Sequence, residues 1–207
     1  MKTLTKEMQN AISPSKALDL LKEGNRRFVN NLKINRNLLQ QANETSDGQH
    51  PFAVILSCID SRTSAELIFD QGLGDVFSVR IAGNIVNEDI LGSMEFGCKV
   101  AGAKIIVVLG HTKCGAIKGA CDNVELGNLT SLIEKIKPAV DQETTTTENR
   151  TSSNANFVEN VAELNVSLSV KSILLTSPII AEMVKNEEIT IVGGVQDISS
   201  GEVKFFE

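Results

Sequence analysis

The sequence predicts an α/β fold: a mainly parallel central sheet of about four strands flanked by helices, with an antiparallel strand added at the carboxyl end and a helical arm at the amino end. Three observations predict it. A short, unbroken apolar run at residues 53–56 (Ala53-Val54-Ile55-Leu56) has the pattern of a strand covered on both faces, and two further runs, at 76–79 and 104–109, resemble it. The second and third runs each lead into a glycine-containing turn and then a helix-like segment, so the middle of the chain repeats strand, loop and helix. That order implies parallel strands joined by right-handed crossovers. Near the end, Gly193-Gly194 bends a fourth run, and Ser199-Ser200-Gly201 reads as a hairpin turn into Val203-Lys204-Phe205-Phe206, an antiparallel addition.

Taken in order, the first element is the arm. Ser13 as cap and Pro14 at the first helical position open a helix over residues 15–32, with Leu18, Leu21, Phe28 and Leu32 at helical spacing. Residues 35–49 turn polar and read as a surface connection, after which Pro51 restarts the chain toward the first strand. After the third strand, residues 141–156 (DQETTTTENRTSSNAN) interrupt two helical stretches with a composition that cannot supply core residues. This stretch reads as an exposed turn, with Thr144 to Thr147 in solvent, rather than as a domain boundary. Helices follow over residues 157–175, with Val158, Val161, Leu164, Leu168 and Ile173, and from Ser177-Pro178 through Lys185. The last parallel strand is Ile189-Thr190-Ile191-Val192. With 207 residues, 42% of them hydrophobic, one core suffices, and the expectation is a single domain over 1–207: an arm at 1–34 and an α/β core at 35–207.

Composition also excludes. A formal charge of −6 without clustered Lys or Arg argues against a nucleic-acid partner. No apolar run approaches a membrane span, and residues 1–15 lack the basic start and apolar stretch of a secretory leader, so no membrane role is expected. The four cysteines, Cys58, Cys98, Cys114 and Cys121, are too few and too unevenly placed for a disulfide framework and read as thiols, which points to a reducing, cytoplasmic setting. No strand precedes Gly-x-Gly-x-x-Gly or a P-loop, which disfavours a nucleotide binder.

Ligands of open parallel sheets bind beyond the carboxyl ends of the strands, and the reactive residues fall there. The first strand runs into Cys58-Ile59-Asp60-Ser61-Arg62, and the third into Gly110-His111-Thr112-Lys113-Cys114-Gly115. Two thiols and an imidazole make a soft site suited to tetrahedral zinc, with a fourth position left for water. A metal-bound water whose pKa has fallen to about 7 is a nucleophile at neutral pH, provided its remaining proton is oriented. Asp60, two residues from a ligand, can do this, and could equally bind the metal itself. Arg62 offers the rigid two-pronged donor that would hold Asp60 away from it.

These residues resemble the β-carbonic anhydrases, whose pattern is Cys-x-Asp-x-Arg followed about fifty residues later by His-x-x-Cys, met here by Cys58, Asp60, Arg62, His111 and Cys114. The resemblance implies one zinc per chain on Cys58, His111 and Cys114, with a catalytic Asp60–Arg62 dyad beside it. It also implies reversible hydration of carbon dioxide to bicarbonate by attack of zinc-bound hydroxide. A homodimer or dimer of dimers is implied too, its amino-terminal helices embracing the partner and its cleft near the interface. On the substrate side the resemblance to plant-like members assigns Gln49, nine residues before Cys58, as donor to the substrate oxygen. It assigns Phe77 as an apolar wall, and Ala82, Gly83 and Asn84 as cleft lining. Phe96 stands where a Tyr is often found, so the hydroxyl is lost and its part falls to Gln49 or water. His50 is the one histidine besides His111, a candidate proton shuttle beside the alternative of buffer. Two other readings stay open: a hydrolase of carbon disulfide or carbonyl sulfide on the same fold, and a silent protein in which Asp60 closes a structural zinc site as fourth ligand.

Overall fold

In the computed structural model, which describes residues 3–206, the expected sheet is present and the arm is more elaborate than the sequence suggests. The arm holds two helices. The first, α1 (Lys6–Asn10), is capped by the Thr5 hydroxyl, and α2 (Pro14–Val29) by Ser13, whose oxygen accepts from the Lys16 N–H at 3.2 Å. α2 stops short of residue 32 because Asn31 adopts a left-handed φ of 54°, a stop that leaves Leu32 in solvent. The polar connection before Pro51 is not all loop either: Asn37 caps α3 (Leu38–Glu44), whose buried Gln41 accepts from the Leu73 N–H. Both short helices rest on capping and tertiary contact rather than on an apolar repeat, so periodicity could not announce them.

From there the chain follows the predicted order. β1 (Ala53–Ser57) leads through α4 (Ala65–Ile68) to β2 (Val76–Arg80). A 3-10 turn at Ala82–Asn84, α5 (Glu88–Glu95) and a π-helical turn at Phe96–Val100 connect to β3 (Ile105–His111). Three helices follow, α6 (Gly115–Cys121), α7 (Gly127–Glu134) and α8 (Lys137–Gln142). Beyond the polar stretch come α9 (Ala155–Thr176), capped by Asn154, and α10 (Pro178–Lys185), capped by Ser177. They deliver β4 (Thr190–Gln196) and its hairpin partner β5 (Val203–Phe206).

The sheet order is β2-β1-β3-β4-β5, parallel except for the β4–β5 pair. Every residue of β1 and β3 is buried, which is why both read as continuous apolar runs. Val54, Leu56, Ile106 and Val108 face Met94, Val166, Ile173 and Ile180. On the opposite face Ala53, Ile55, Ile105, Val107 and Leu109 meet Ala17, Leu21, Ile68 and Phe69. Register decides where the reactive residues emerge: Ser57 lies opposite both Arg80 and Leu109, so Cys58 and His111 leave the sheet at the same end. Asn25 of α2 ties the arm to the hairpin, donating to the Gly201 carbonyl at 2.9 Å and accepting from the Val203 N–H at 2.9 Å.

The threonine-rich stretch corrects one expectation. Thr144, Thr145 and Thr147 are exposed as anticipated, but the segment is wrapped around a buried carboxylate rather than being featureless. Glu143 accepts from Arg150 Nη1 at 2.8 Å, from Asn160 Nδ2 at 3.2 Å and from the Thr145 hydroxyl. A buried charge needs such partners, and the local string of Thr and Asn supplies most of them.

α9 crosses the sheet so closely that β4 tolerates no side chain at Gly193, where a Cβ would stand 2.7 Å from Val166 Cγ1. Gly193→Ala is therefore expected to lower unfolding stability by about 1–3 kcal/mol, the usual penalty of overpacking. Combining it with Val166→Ala should recover part of that loss beyond simple additivity, as read from urea denaturation midpoints.

Candidate metal centre

Cys58 begins immediately beyond β1, His111 closes β3, and Cys114 stands at the entrance of α6. Their donor atoms all lie within 4.8 Å of one another, all three residues are buried, and the two sulfurs are 4.0 Å apart. The His111 Nδ1 atom is 2.9 Å from the Thr112 carbonyl, which assigns its proton to that nitrogen. Nε2 is buried with no hydrogen-bond partner among the described residues. An orphaned imidazole nitrogen facing two thiols is what a metal would satisfy, and the Cys2His donor set suits zinc with one position left open.

The sulfurs are prepared for that charge. The Cys58 thiol is pushed well below its ordinary pKa by the hydrogen bond from Cys114, with further help from His111 and from the Gly83 N–H at 3.4 Å. Cys114 is pushed up by the same pairing and by burial, while the N–H groups of Ile117 and Ala116 at the start of α6 pull the other way. Gly83 can present its N–H only because it lacks a side chain: its φ is +66°, and a Cβ would lie 2.6 Å from Ile136 Cδ1.

Asp60 and Arg62 form the pair that the sequence suggests. Arg62 Nε donates to Asp60 Oδ1 at 2.9 Å and Nη2 to Oδ2 at 2.8 Å, and the Arg62 backbone N–H adds a third bond to Oδ1. These hydrogen bonds hold the Asp60 carboxyl well below the usual carboxylate range. Because the folded value is depressed, the pair's stabilisation is complete above the unfolded carboxylate value of about 3.9 and disappears only as pH falls through the lower folded value. Cys58, Asp60 and Ala82 line one cleft of about 460 Å³ whose other walls include Ala116, Val124, Leu129 and Ile133.

The remaining expected residues are placed unequally. Ala82 lines this cleft and Gly83 backs its sulfur. Asn84 is buried just behind, its carbonyl accepting from Ser169. Phe77 and Phe96 meet edge to face at 6.3 Å and line a separate groove along β2 and α5. Phe96 is 55% exposed there, at the opening of the π-helical turn. Gln49 is exposed and stands ahead of β1, at the opposite end of the strand from Cys58. His50, half-buried at that same end, has Glu7 of α1 as an electrostatic neighbour.

A carbonic anhydrase family model matches residues 53–203. A solved β-carbonic anhydrase of Aspergillus fumigatus superposes with a TM-score of 0.73 at 26% identity, covering 93% of this chain and 90% of that one. The chain belongs to the β-carbonic anhydrase family. Carbonic anhydrase 2 of Mycobacterium tuberculosis is 41% identical over 140 residues, which cover 62% of this chain and 65% of that protein. The carbonic anhydrase of Synechocystis is 32% identical over 187 residues, covering 83% of this chain and 64% of that protein. The matched segments thus span just under two thirds of these curated relatives' own length. A tetrameric β-carbonic anhydrase of Sordaria macrospora, with a TM-score of 0.68 at 27% identity, covers 78% of this chain and 83% of that one.

Several supporting residues of this β-carbonic anhydrase chain are not legible in its sequence. Thr63 and Arg80 bind the carbonyls of the Cys58–Asp60 loop, and Asn165 Nδ2 donates to the Gly83 carbonyl at 2.8 Å. Thr63 acts from within the loop's own turn, whereas Arg80 and Asn165 act across the fold. The one local hint is a charged residue, Arg80, closing a mostly apolar strand. A three-donor site of this kind should bind close to one equivalent of zinc or cobalt(II) per chain. Cys58→Ser and His111→Ala should each reduce binding to background in a metal titration, and wild-type affinity should weaken as acid reprotonates the thiolates.

Proposed function

We propose that this chain is a zinc-dependent carbonic anhydrase that converts carbon dioxide and water reversibly to bicarbonate and a proton. The observation that carries the reading is the convergence of two thiols and an imidazole beside an ion-paired carboxylate in a largely apolar cleft, in a chain of this family. Cys58, His111 and Cys114 would hold the zinc. When bound, zinc supplies Lewis acidity that brings the pKa of a water to about 7 and so makes a nucleophile available at neutral pH.

The protein's own residues do the rest. Asp60, kept ionised, is an acceptor only, so it takes the hydrogen bond from the nucleophile's remaining O–H and turns the attacking lone pair toward the substrate. Arg62 engages both carboxylate oxygens, which restrains Asp60 from rotating onto the metal and so disfavours a closed, silent site. Ala82, Ala116, Val124, Leu129 and Ile133 give the apolar surroundings that suit a non-polar gas, and Lys118 on the same cleft offers a cation to the departing anion.

Gln49, Phe77 and Phe96 lie away from the chain's own cleft, so their assigned roles in substrate handling require a second copy to carry them there. A homodimer or a dimer of dimers is the assembly this implies. His50 is remote in the same way, and proton removal falls to a partner's His50 or to buffer. Four free, buried thiols fit a cytoplasmic location. The whole of residues 1–207 is read as one catalytic domain with its arm.

Stopped-flow hydration of carbon dioxide by the zinc-loaded protein tests the function: rapid turnover that disappears on metal removal is expected, and none above buffer would reject it. Asp60→Asn should keep its zinc yet lose about 10²–10³-fold in kcat, because the amide can present an N–H donor where an acceptor is needed. Since Asp60 is already ionised well into acid, kcat/KM between about pH 6 and 9 should follow a single ionisation, that of the nucleophile, with no second limb from this carboxyl.

A further inference from the structure

We propose that Arg80 is a positioning residue that aims Asp60, clamping the Cys58–Asp60 loop through its two backbone carbonyls. Its consequence for catalysis rests on the carbonic anhydrase reading, whereas the clamp itself rests on geometry. Arg80 closes the edge strand β2 directly opposite Ser57, one residue short of Cys58. From there its guanidinium reaches forward over the strand end, with Nε donating to the Cys58 carbonyl at 3.0 Å and Nη2 to the Asp60 carbonyl at 2.6 Å. A planar fork that holds both carbonyls fixes the peptide planes that follow Cys58 and Asp60, and with them the direction in which the Asp60 side chain leaves the backbone. Arg62 then orients the carboxylate about its own bonds, so one arginine sets the loop and the other sets the side chain.

The two carbonyls do not depend on Arg80 equally. The Thr63 hydroxyl lies 3.1 Å from the Cys58 carbonyl and 2.9 Å from that of Asp60, and its single proton can serve only one of them. The Thr63 backbone N–H also reaches the Asp60 carbonyl at 3.0 Å. Without Arg80 the Thr63 hydroxyl can turn to the Cys58 carbonyl and keep the ligand in place. The Asp60 carbonyl is then left to one backbone N–H at the mouth of a turn. Loss of Arg80 therefore loosens Asp60 more than it loosens the metal ligand. Arg80 does not line the chain's own cleft with Cys58 and Asp60, so within the chain its hold on that site runs through the loop that carries Asp60.

The test compares the unaltered full chain with Arg80→Ala and Arg80→Lys, all zinc-loaded, in zinc content, amide hydrogen exchange and steady-state hydration kinetics. The amides of Arg62 and Thr63 report the loop directly, because they donate to the Asp60 carboxylate and carbonyl. Arg80→Ala should keep about one zinc per chain and exchange those two amides roughly tenfold faster, with the amides of β1 and β3 unchanged. Its kcat should fall about 10–100-fold with KM within about twofold, the usual scale for a residue supporting a metal site from behind. Arg80→Lys, a single-point donor able to reach one carbonyl at a time, should fall between the two in exchange and in kcat. Unchanged exchange at Arg62 and Thr63 in Arg80→Ala overturns the proposal. So does loss of zinc or of the fold in both variants, which would make Arg80 a structural strut only. If the unaltered protein shows no hydration, the carbonic anhydrase reading fails, while the exchange measurement still decides whether Arg80 clamps the loop.

Discussion

Two buried sulfurs 4.0 Å apart with an imidazole nitrogen beside them are the constraint on which the rest of this molecule depends. A buried thiolate and a buried nitrogen without a partner are both costly, so such a cluster persists only where the surrounding structure enforces it or a metal joins it. The enforcement begins with the pairing of β1 and β3 in parallel register, which brings two strand ends level and delivers one ligand from each. Parallel pairing requires long crossovers, and α4, β2 and α5 lie between the two strands in sequence for that reason. The third ligand arrives because the chain after His111 turns at once into α6, with Lys113 taking a left-handed φ of 59° in the turn.

Around that cluster the protein arranges hydrogen-bond donors in layers. Gly83, Ile117 and Ala116 point N–H groups at the sulfurs, Asn165 and Ser169 of α9 hold the Gly83–Asn84 turn, and Arg80 and Thr63 hold the loop that carries Asp60. The dyad sits at the outer edge, with Asp60 18% exposed and Arg62 52% exposed, so it meets both the cleft and water. This gradient from buried thiolates to a wetter carboxylate matches the chemistry proposed: the metal's ligands must exclude competing water, while the acceptor has to reach a small substrate arriving from solvent.

Legibility in the sequence depends on which forces act locally. β1 and β3 announce themselves because both faces are covered and all but their closing residues are apolar or glycine, and the caps Ser13 and Ser177 mark α2 and α10 through short-range bonds. Cys58, Asp60, Arg62, His111 and Cys114 are legible because strand ends fix where ligands go, so spacing within a chain becomes proximity in space. Asn165 and Ser169 cannot be found that way: they are 82 and 85 residues from the carbonyls they bind. Gln49 and Phe96 illustrate a different gap. Resemblance points to both, but within the chain they lie away from the cleft beside Cys58, and no local pattern reports that separation.

The most direct test of the central claim is X-ray absorption at the zinc edge of the loaded protein in neutral solution. The account predicts a four-coordinate shell with two sulfurs at about 2.3 Å, one imidazole nitrogen at about 2.0 Å and one further light atom that exchanges with added anions. A shell lacking the two sulfurs would contradict the assignment of Cys58 and Cys114, and a shell whose light atoms ignore added anions would contradict the open site on which the proposed chemistry stands.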